Sequence, residues 1–377
     1  MSVEIEPAHQ TRRRSLDAAA ATALRCRVDP RVAALVPRFD APFFQAGLAG
    51  YSDSAMRLIA RRHGCPFCVT EALLDRTLLN GGKGRAREDP DIIAAECGMG
   101  ELDDNVAKTV DDHPLAGQIM GSHPEEMARA AAQLVGMGHD VVDVNLACPV
   151  KKIRSSHRGG HFLAHPDEAI AVLREVHAAV GGRVPCSVKL RRAYDDDPAM
   201  ARHFERIFDA AYEIGYSWTT VHCRTVVQKY LGPGRWEFLA ELVARRSDCV
   251  IFGSGDIWCV EDIFAMIEEC GVTGVAVARG CIGNPWIFRQ ARQLMRGEEP
   301  MAPTIAQQRE VLLDHLSLAT TLHGERSAGQ RMRKFAIRFA SHHPSSAQVK
   351  GEFIRCESLE AWHAVLDLHY GPAATAP

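Results

Sequence analysis

Asp140-Val141-Val142-Asp143-Val144-Asn145 runs directly into Leu146-Ala147-Cys148-Pro149-Val150-Lys151-Lys152. The first six residues read as a buried strand, and the rest as a proline-stiffened loop that holds a thiol three residues beyond Asn145. A single cysteine is commonly a packed core residue. Here the flanking Asn145, Pro149 and two lysines favour the other reading, because nearby cations lower a thiol's pKa and make it reactive. A polar strand end followed by a chemically equipped loop is the basic unit of a barrel active site.

The same unit recurs on both sides of this stretch. Strand patterns fall at Pro42–Ala46, Phe67–Glu71, Leu115–Met120, Asp140–Asn145, Val184–Leu190, Trp218–His222, Cys249–Gly253 and Gly274–Ala278. Amphipathic helix patterns lie between them at Pro124–Met137, Pro166–Val180, Pro198–Ile214, Trp236–Arg246 and Val260–Cys270. Several open with Pro or an acid in the first turn and close on Gly138, Gly181, Gly215 or Gly271. Eight strand–helix units with continuous apolar strands predict a closed (β/α)8 TIM barrel over residues 37–300. An open doubly wound sheet would carry GxGxxG after its first strand, and none is there. Beyond residue 300 the strands stop. Helix patterns at Ala306–His323, Arg326–His342 and Leu359–His369 predict a C-terminal all-helical domain, 301–377. Residues 1–36, with Arg12-Arg13-Arg14, read as an arm that is partly helical and partly disordered.

Composition narrows the function. The chain has 377 residues, 46% hydrophobic and 24% charged, with a net charge of −3. That balance excludes a strongly basic nucleic-acid coat, so any RNA contact must use local patches. Twelve cysteines without framework spacing point to reduced thiols and a cytoplasmic protein. Cys65-Pro-Phe-Cys68 reads as structural, since no second CxxC follows. His161/His165 straddle a loop and His342-His343 lies beside Pro344, neither at metal spacing, so no metal is expected. No membrane span or signal peptide is expected either, and the protein is expected to be monomeric.

Barrel chemistry sits at the C-terminal strand ends. Here those ends carry Gln118, Asn145 with Cys148, Lys189 with Arg191, His222 with Arg224, Ser254-Gly255-Asp256, and Ala278-Arg279-Gly280. The glycine turns after strands seven and eight suit backbone N–H contacts to a phosphate, with Arg279 supplying charge, as a mononucleotide such as FMN requires. Lys189 and His222 would face the electron-rich edge of a reduced flavin.

In order along the chain, Ala49-Gly50-Tyr51-Ser52-Asp53, Val69-Thr70-Glu71, Gln118-Ile119-Met120-Gly121, the Asn145–Cys148–Lys151 stretch, Val188-Lys189-Leu190-Arg191, Val221-His222-Cys223-Arg224-Thr225, Gly253-Ser254-Gly255-Asp256-Ile257 and Arg279-Gly280 through Gly283-Asn284-Pro285-Trp286 resemble the tRNA-dihydrouridine synthases. The resemblance runs from about residue 40 to 370. It implies an FMN-bearing barrel with a helical bundle, reducing a uridine of tRNA to 5,6-dihydrouridine with NADPH. It assigns FMN to Gly47, Leu48, Ala49, Gln118, Lys189, His222, Ser254, Gly255, Asp256, Ala278 and Arg279. Hydride would pass from N5 of the flavin to C6 of a flipped-out uridine, and Cys148 would give the proton to C5. Asn145, Lys151, Lys152, Arg191, Arg331, Arg333 and Lys334 are the candidates for substrate contact. The chain departs from the family pattern at Gly47 (usually Pro), Ala147 (Gly), Ser254 (Asn) and Ala278 (Gly), and His157 and His161 replace small residues in the loop after Cys148. Two rival readings are an FMN barrel reducing a small enone or pyrimidine, and a tRNA-binding protein with weak catalysis. The positive run Arg326–Arg338, free of acids, favours RNA over a small substrate.

Overall fold

A computed structural model of the chain describes residues 14–79 and 112–371. Eight parallel strands close into a ring: β1 (Phe43–Gln45), β2 (Cys68–Val69), β4 (Leu115–Met120), β5 (Val141–Asn145), β6 (Cys186–Arg191), β7 (Trp218–His222), β8 (Ile251–Ser254) and β9 (Gly274–Val277). β1 pairs with both β2 and β9, and β2 pairs on to β4, which completes the barrel. Each of the eight expected strands is present, a (β/α)8 barrel. The extra strand β3 (Leu73–Leu74) adds on at Leu73↔Ile119; two residues show no periodicity by which a sequence could announce it.

Side chains alternate across a strand, so every second residue enters the barrel. At the bottom these are apolar. Phe44, Phe67, Trp218, Phe252, Val141, Val250 and Ala276 form one cluster. Its floor comes from the N-terminal arm. The helix Pro30–Leu35, started by Asp29 accepting from the Arg31 N–H, leads Phe39 into the barrel. Phe39 stacks on Phe67 at 4.7 Å and on Phe252 at 5.7 Å. The preceding helix, Leu16–Arg25, buries Ala19 and Ala23 against the outer helices, and Arg14 pairs with Asp262 at 3.2 Å. Arg12 and Arg13 lie outside the described residues. Further up the barrel the inward positions turn polar: Gln118, Asp143, Ser187, Lys189, Thr220, His222 and Ser254. This gradient from apolar floor to polar mouth positions the site.

Among the described residues four α-helices follow the barrel: Ile305–His323, Glu325–Phe339, Ser346–Arg355 and Leu359–Tyr370. The third has no counterpart in the sequence reading, because it is polar, contains Gly351 and buries only Val349 and Phe353. Trp362, fully buried, donates to the Gly329 carbonyl at 3.1 Å and ties the last helix to the second. The bundle joins the barrel through shared core residues. Tyr51 meets Phe335 edge-on at 5.7 Å, and Trp286 meets Phe339 at 5.5 Å. Asp53 caps the helix Ser54–Arg62 and also faces His323 Nε2 at 3.3 Å. Burial opposes ionisation of Asp53, yet the His323 contact and the Met56 N–H pull its pKa down to about 2.

Candidate active site at the barrel mouth

Register decides which polar residues meet. Gln118 lies beside Asp143, Asp143 beside Ser187, Asn145 beside Lys189, and His222 beside Ser254. These neighbours form a chain of hydrogen bonds. Asn145 Nδ2 donates to Gln118 Oε1 at 2.7 Å, Gln118 Nε2 donates to Asp143 Oδ2 at 2.7 Å, and Ser187 Oγ donates to Asp143 Oδ1 at 2.6 Å. Burial nevertheless pushes the Asp143 carboxyl up. Asn145 Oδ1 also accepts from the Ala147 N–H at 3.0 Å, so its amide braces the turn leading to Cys148.

Lys189 is the exception in this network. Its ammonium is enclosed and has no hydrogen-bond partner. Burial drops its pKa to about 8, with the Asp143 charge partly resisting. A buried cation without partners is costly unless something supplies acceptors. With Gly47, Gln118, Asp143, Ser187 and Thr220 it lines a small cavity at the barrel mouth. Gly47 has no room for a side chain, since a Cβ there would lie 2.5 Å from the Thr70 carbonyl oxygen.

A second cavity is lined by His222, Ser254, Gly255, Asp256, Trp258, Ala278 and Arg279. Burial, then the charges of Arg191, Lys189, Arg224 and Arg279, hold His222 well below its ordinary pKa, so the imidazole is neutral. Its Nδ1 accepts from the Arg224 N–H at 3.2 Å. Asp256 is left-handed (φ 58°), and its carboxylate is taken by Arg224 at 2.6 Å and the Gly234 N–H at 2.7 Å. It therefore shapes the turn. Gly255 (φ 119°) and Gly280 are required by the tight approach here: a Cβ at Gly280 would sit 2.1 Å from the Ile257 carbonyl oxygen. Arg279 is held over the rings of Tyr230 and Trp258, at 4.8 and 4.7 Å. Nine of the eleven expected cofactor residues thus line two cavities at one end of the barrel. Leu48 and Ala49 lie in the following loop, where the Leu48 N–H is bonded to Ser52 Oγ at 2.8 Å.

Cys148 is partly exposed beside this mouth. Its electrostatics correct the sequence reading. Burial raises the thiol's pKa, and the charges that partly offset this are Arg191 and Arg154, not the adjacent lysines. Lys151 and Lys152 are exposed on the one-turn helix Lys151–Arg154. Arg191 is itself buried. It donates to the carbonyls of Ala147 (2.8 Å), Thr225 (2.8 Å) and Lys229 (2.7 Å), bracing the Cys148 loop from behind. Two glycines back the thiol: a Cβ on Gly159 (φ 55°) would lie 2.8 Å from Cys148 Cβ, and the Gly160 N–H donates to the Cys148 carbonyl at 3.0 Å. The sequence reading did not single out Asp143, Ser187, Gly159 or Gly160 as site residues, and it named Arg224 as a polar strand end without giving it a role. Counting inward positions by twos along β5 and β6 would have found the first two.

The tail residues lie on one helix and have different surroundings. Arg331 is exposed, and Arg333 and Lys334 are half-buried on the helix Glu325–Phe339. Lys334 bonds the Gly50 carbonyl and lies 4.9 Å over the rings of both Tyr51 and Phe335, so it docks the tail on the barrel rim. Among the described residues no helix is long and apolar enough to cross a membrane.

Residues 44–371 match the model of the dihydrouridine synthase (Dus) family. A probable tRNA-dihydrouridine synthase of Treponema pallidum is 30% identical over 330 residues, spanning 86% of this chain and 91% of that protein. The tRNA-dihydrouridine synthase B of Xanthomonas campestris is 28% identical, over 84% and 89% of the two chains. Among solved structures, TcOYE with pHBA superposes with a TM-score of 0.50 at 12% identity, over 74% of this chain and 95% of that one. At that identity the likeness concerns the barrel fold alone.

Proposed function

Since the chain belongs to the dihydrouridine synthase family, a family of oxidoreductases, we propose that it reduces the 5,6 double bond of a uridine in tRNA, with FMN as the resident cofactor and NADPH as reductant. The observation carrying this reading is the unpartnered Lys189 ammonium at a polar barrel mouth that also holds neutral His222, the Gly255 and Gly280 turns and Arg279, with Cys148 alongside. These residues fit FMN. Lys189 needs an acceptor, which the pyrimidine edge of the isoalloxazine provides. The glycine turns and Arg279 suit its phosphate. When bound, FMN reduced by NADPH supplies the hydride for C6 of the uracil.

The chain's own residues do the rest. Gln118 is held by Asn145 and Asp143, so its amide is oriented before any ligand arrives. Lys189 carries positive charge below about pH 8. Cys148, kept protonated by burial, donates its proton to C5. Its carbonyl and the turn before it are held by Gly160, Asn145 and Arg191, which fixes where the thiol points. Lys151 and Lys152 extend from the same loop into solvent, where tRNA phosphates can reach them. Heat-denatured protein should release one FMN per chain, and the native protein should convert uridine to dihydrouridine in unmodified tRNA with NADPH. Protein that stays colourless and takes up no added FMN overturns the reading.

A further inference from the structure

Histidines recur every fourth residue at 157, 161 and 165, with Glu168 three further on. The fold turns this run into a cluster. His157 occupies the left-handed region (φ 55°), the chain then makes a 3-10 turn over Gly159–Ala164, and Pro166 starts the helix Pro166–Val180. The three imidazoles stack, His157 on His161 at 4.5 Å and His161 on His165 at 4.1 Å. Glu168 reaches back from the first helical turn. Its Oε2 lies 3.4 Å from His161 Nε2 and its Oε1 lies 3.8 Å from His165 Nδ1. One ligand atom from each of the three residues lies within 4.8 Å of the other two. His161 Nε2 is closed off from solvent and makes no hydrogen bond, although it faces this group. The sequence offered only two histidines across a loop; folding adds the carboxylate.

We propose that His161 Nε2, His165 Nδ1 and the Glu168 carboxylate bind one divalent transition-metal ion of the zinc class. Bonds of about 2.0–2.1 Å to a tetrahedral ion place ligand atoms about 3.4 Å apart. The His161–Glu168 edge already has that length, and exposed His165 closes the rest by rotating. Two imidazoles and one carboxylate suit zinc, nickel or copper, whereas calcium and magnesium prefer all-oxygen sets. The adjoining cleft contains Arg76 and Arg158, but these are paired with Glu126 (2.9 Å) and Asp75 (3.6 Å). The fourth position is open to water or to His157. The ion would pin residues 157–168, the segment whose Gly159 and Gly160 lie against Cys148.

The test is calorimetric titration of zinc chloride into the metal-stripped protein with its cofactor in place, with amide hydrogen exchange measured in parallel. One equivalent should bind and slow exchange within residues 157–168. His165→Ala and Glu168→Gln change exposed side chains, and each should weaken zinc binding by more than about 10²-fold through loss of one of three ligands. His363→Ala, an exposed histidine on the last helix, should bind as wild type. Absence of stoichiometric binding, undiminished binding by His165→Ala, or protection elsewhere, such as around Cys65 and Cys68, overturns the proposal.

Discussion

Cys148 and Lys189 are both perturbed by burial, with different consequences. For a proton donor, a raised pKa keeps the thiol protonated until the substrate needs the proton. Cys148→Ala should keep its flavin and oxidise NADPH normally while forming dihydrouridine about 10²–10⁴-fold more slowly. Near-normal product formation would move the acid role elsewhere, with His157 and His161 next in line. Lys189 carries a stability cost in the cofactor-free protein. Its folded pKa of about 8 lies below the ordinary 10.5. Between those values the unfolded chain binds more protons, so Lys189's contribution to stability rises with pH through that window and is least favourable below pH 8. Lys189→Met should therefore stabilise the cofactor-free protein at pH 7, by up to about 3 kcal/mol, yet lower its FMN content. Unfolding curves and flavin absorbance on the same preparation read both effects. A variant that is less stable and equally yellow would contradict the assignment.

On the helix Glu325–Phe339 the positive run is divided by geometry. Successive residues point about 100° apart, so Arg333 and Lys334 cannot share one face. Lys334 turns to the Gly50 loop of the barrel, while Arg331 is exposed. Arg331→Ala combined with Arg333→Ala should weaken tRNA binding and reduce its salt slope by up to about one unit per lost phosphate contact, leaving flavin content intact. Lys334→Ala should instead loosen the tail, seen as faster amide exchange near Gly50 and Tyr51. If the double variant keeps wild-type affinity and slope, these two side chains are simply solvated and the RNA is gripped by Lys151, Lys152 and Arg154. That helix was legible as an element from its periodicity. Which of its cations face solvent was not, because docking against the barrel rim turns Lys334 inward.

At the scale of the molecule, barrel and tail share one core, and both contain buried neutral histidines. Burial lowers His139 in the barrel and His315 in the tail to about 4 each. The unfolded chain, titrating near 6.5, binds more protons than the folded one between those values. Stability is therefore present above pH 6.5 and lost as pH falls toward 4. Each histidine should contribute a loss of about 2 kcal/mol between pH 7 and pH 5. His139→Gln and His315→Gln should each flatten this acid limb, measured as urea unfolding midpoints at the two pH values. A pH dependence parallel to wild type would show that neither histidine controls it.

The eight strands, the long helices between them and the polar strand ends were readable from the sequence, because apolar periodicity and turn residues are local signals. The period of two also fixed which residues of β5 and β6 enter the barrel. What they meet there depended on closure and register. Only pairing across strands hands Gln118 and Asn145 to each other and Asp143 to Ser187, and so leaves the Lys189 ammonium without a hydrogen-bond partner. Only packing sets the surroundings of Cys148: the lysines beside it in sequence point to solvent, while Arg191, forty-three positions on, braces its loop. The cluster of His161, His165 and Glu168 likewise required a 3-10 turn to run into a helix. Local pattern specifies elements and the direction of their side chains; the partners that satisfy, bury or charge those side chains come from distant segments, and only the folded chain brings them within a few ångströms.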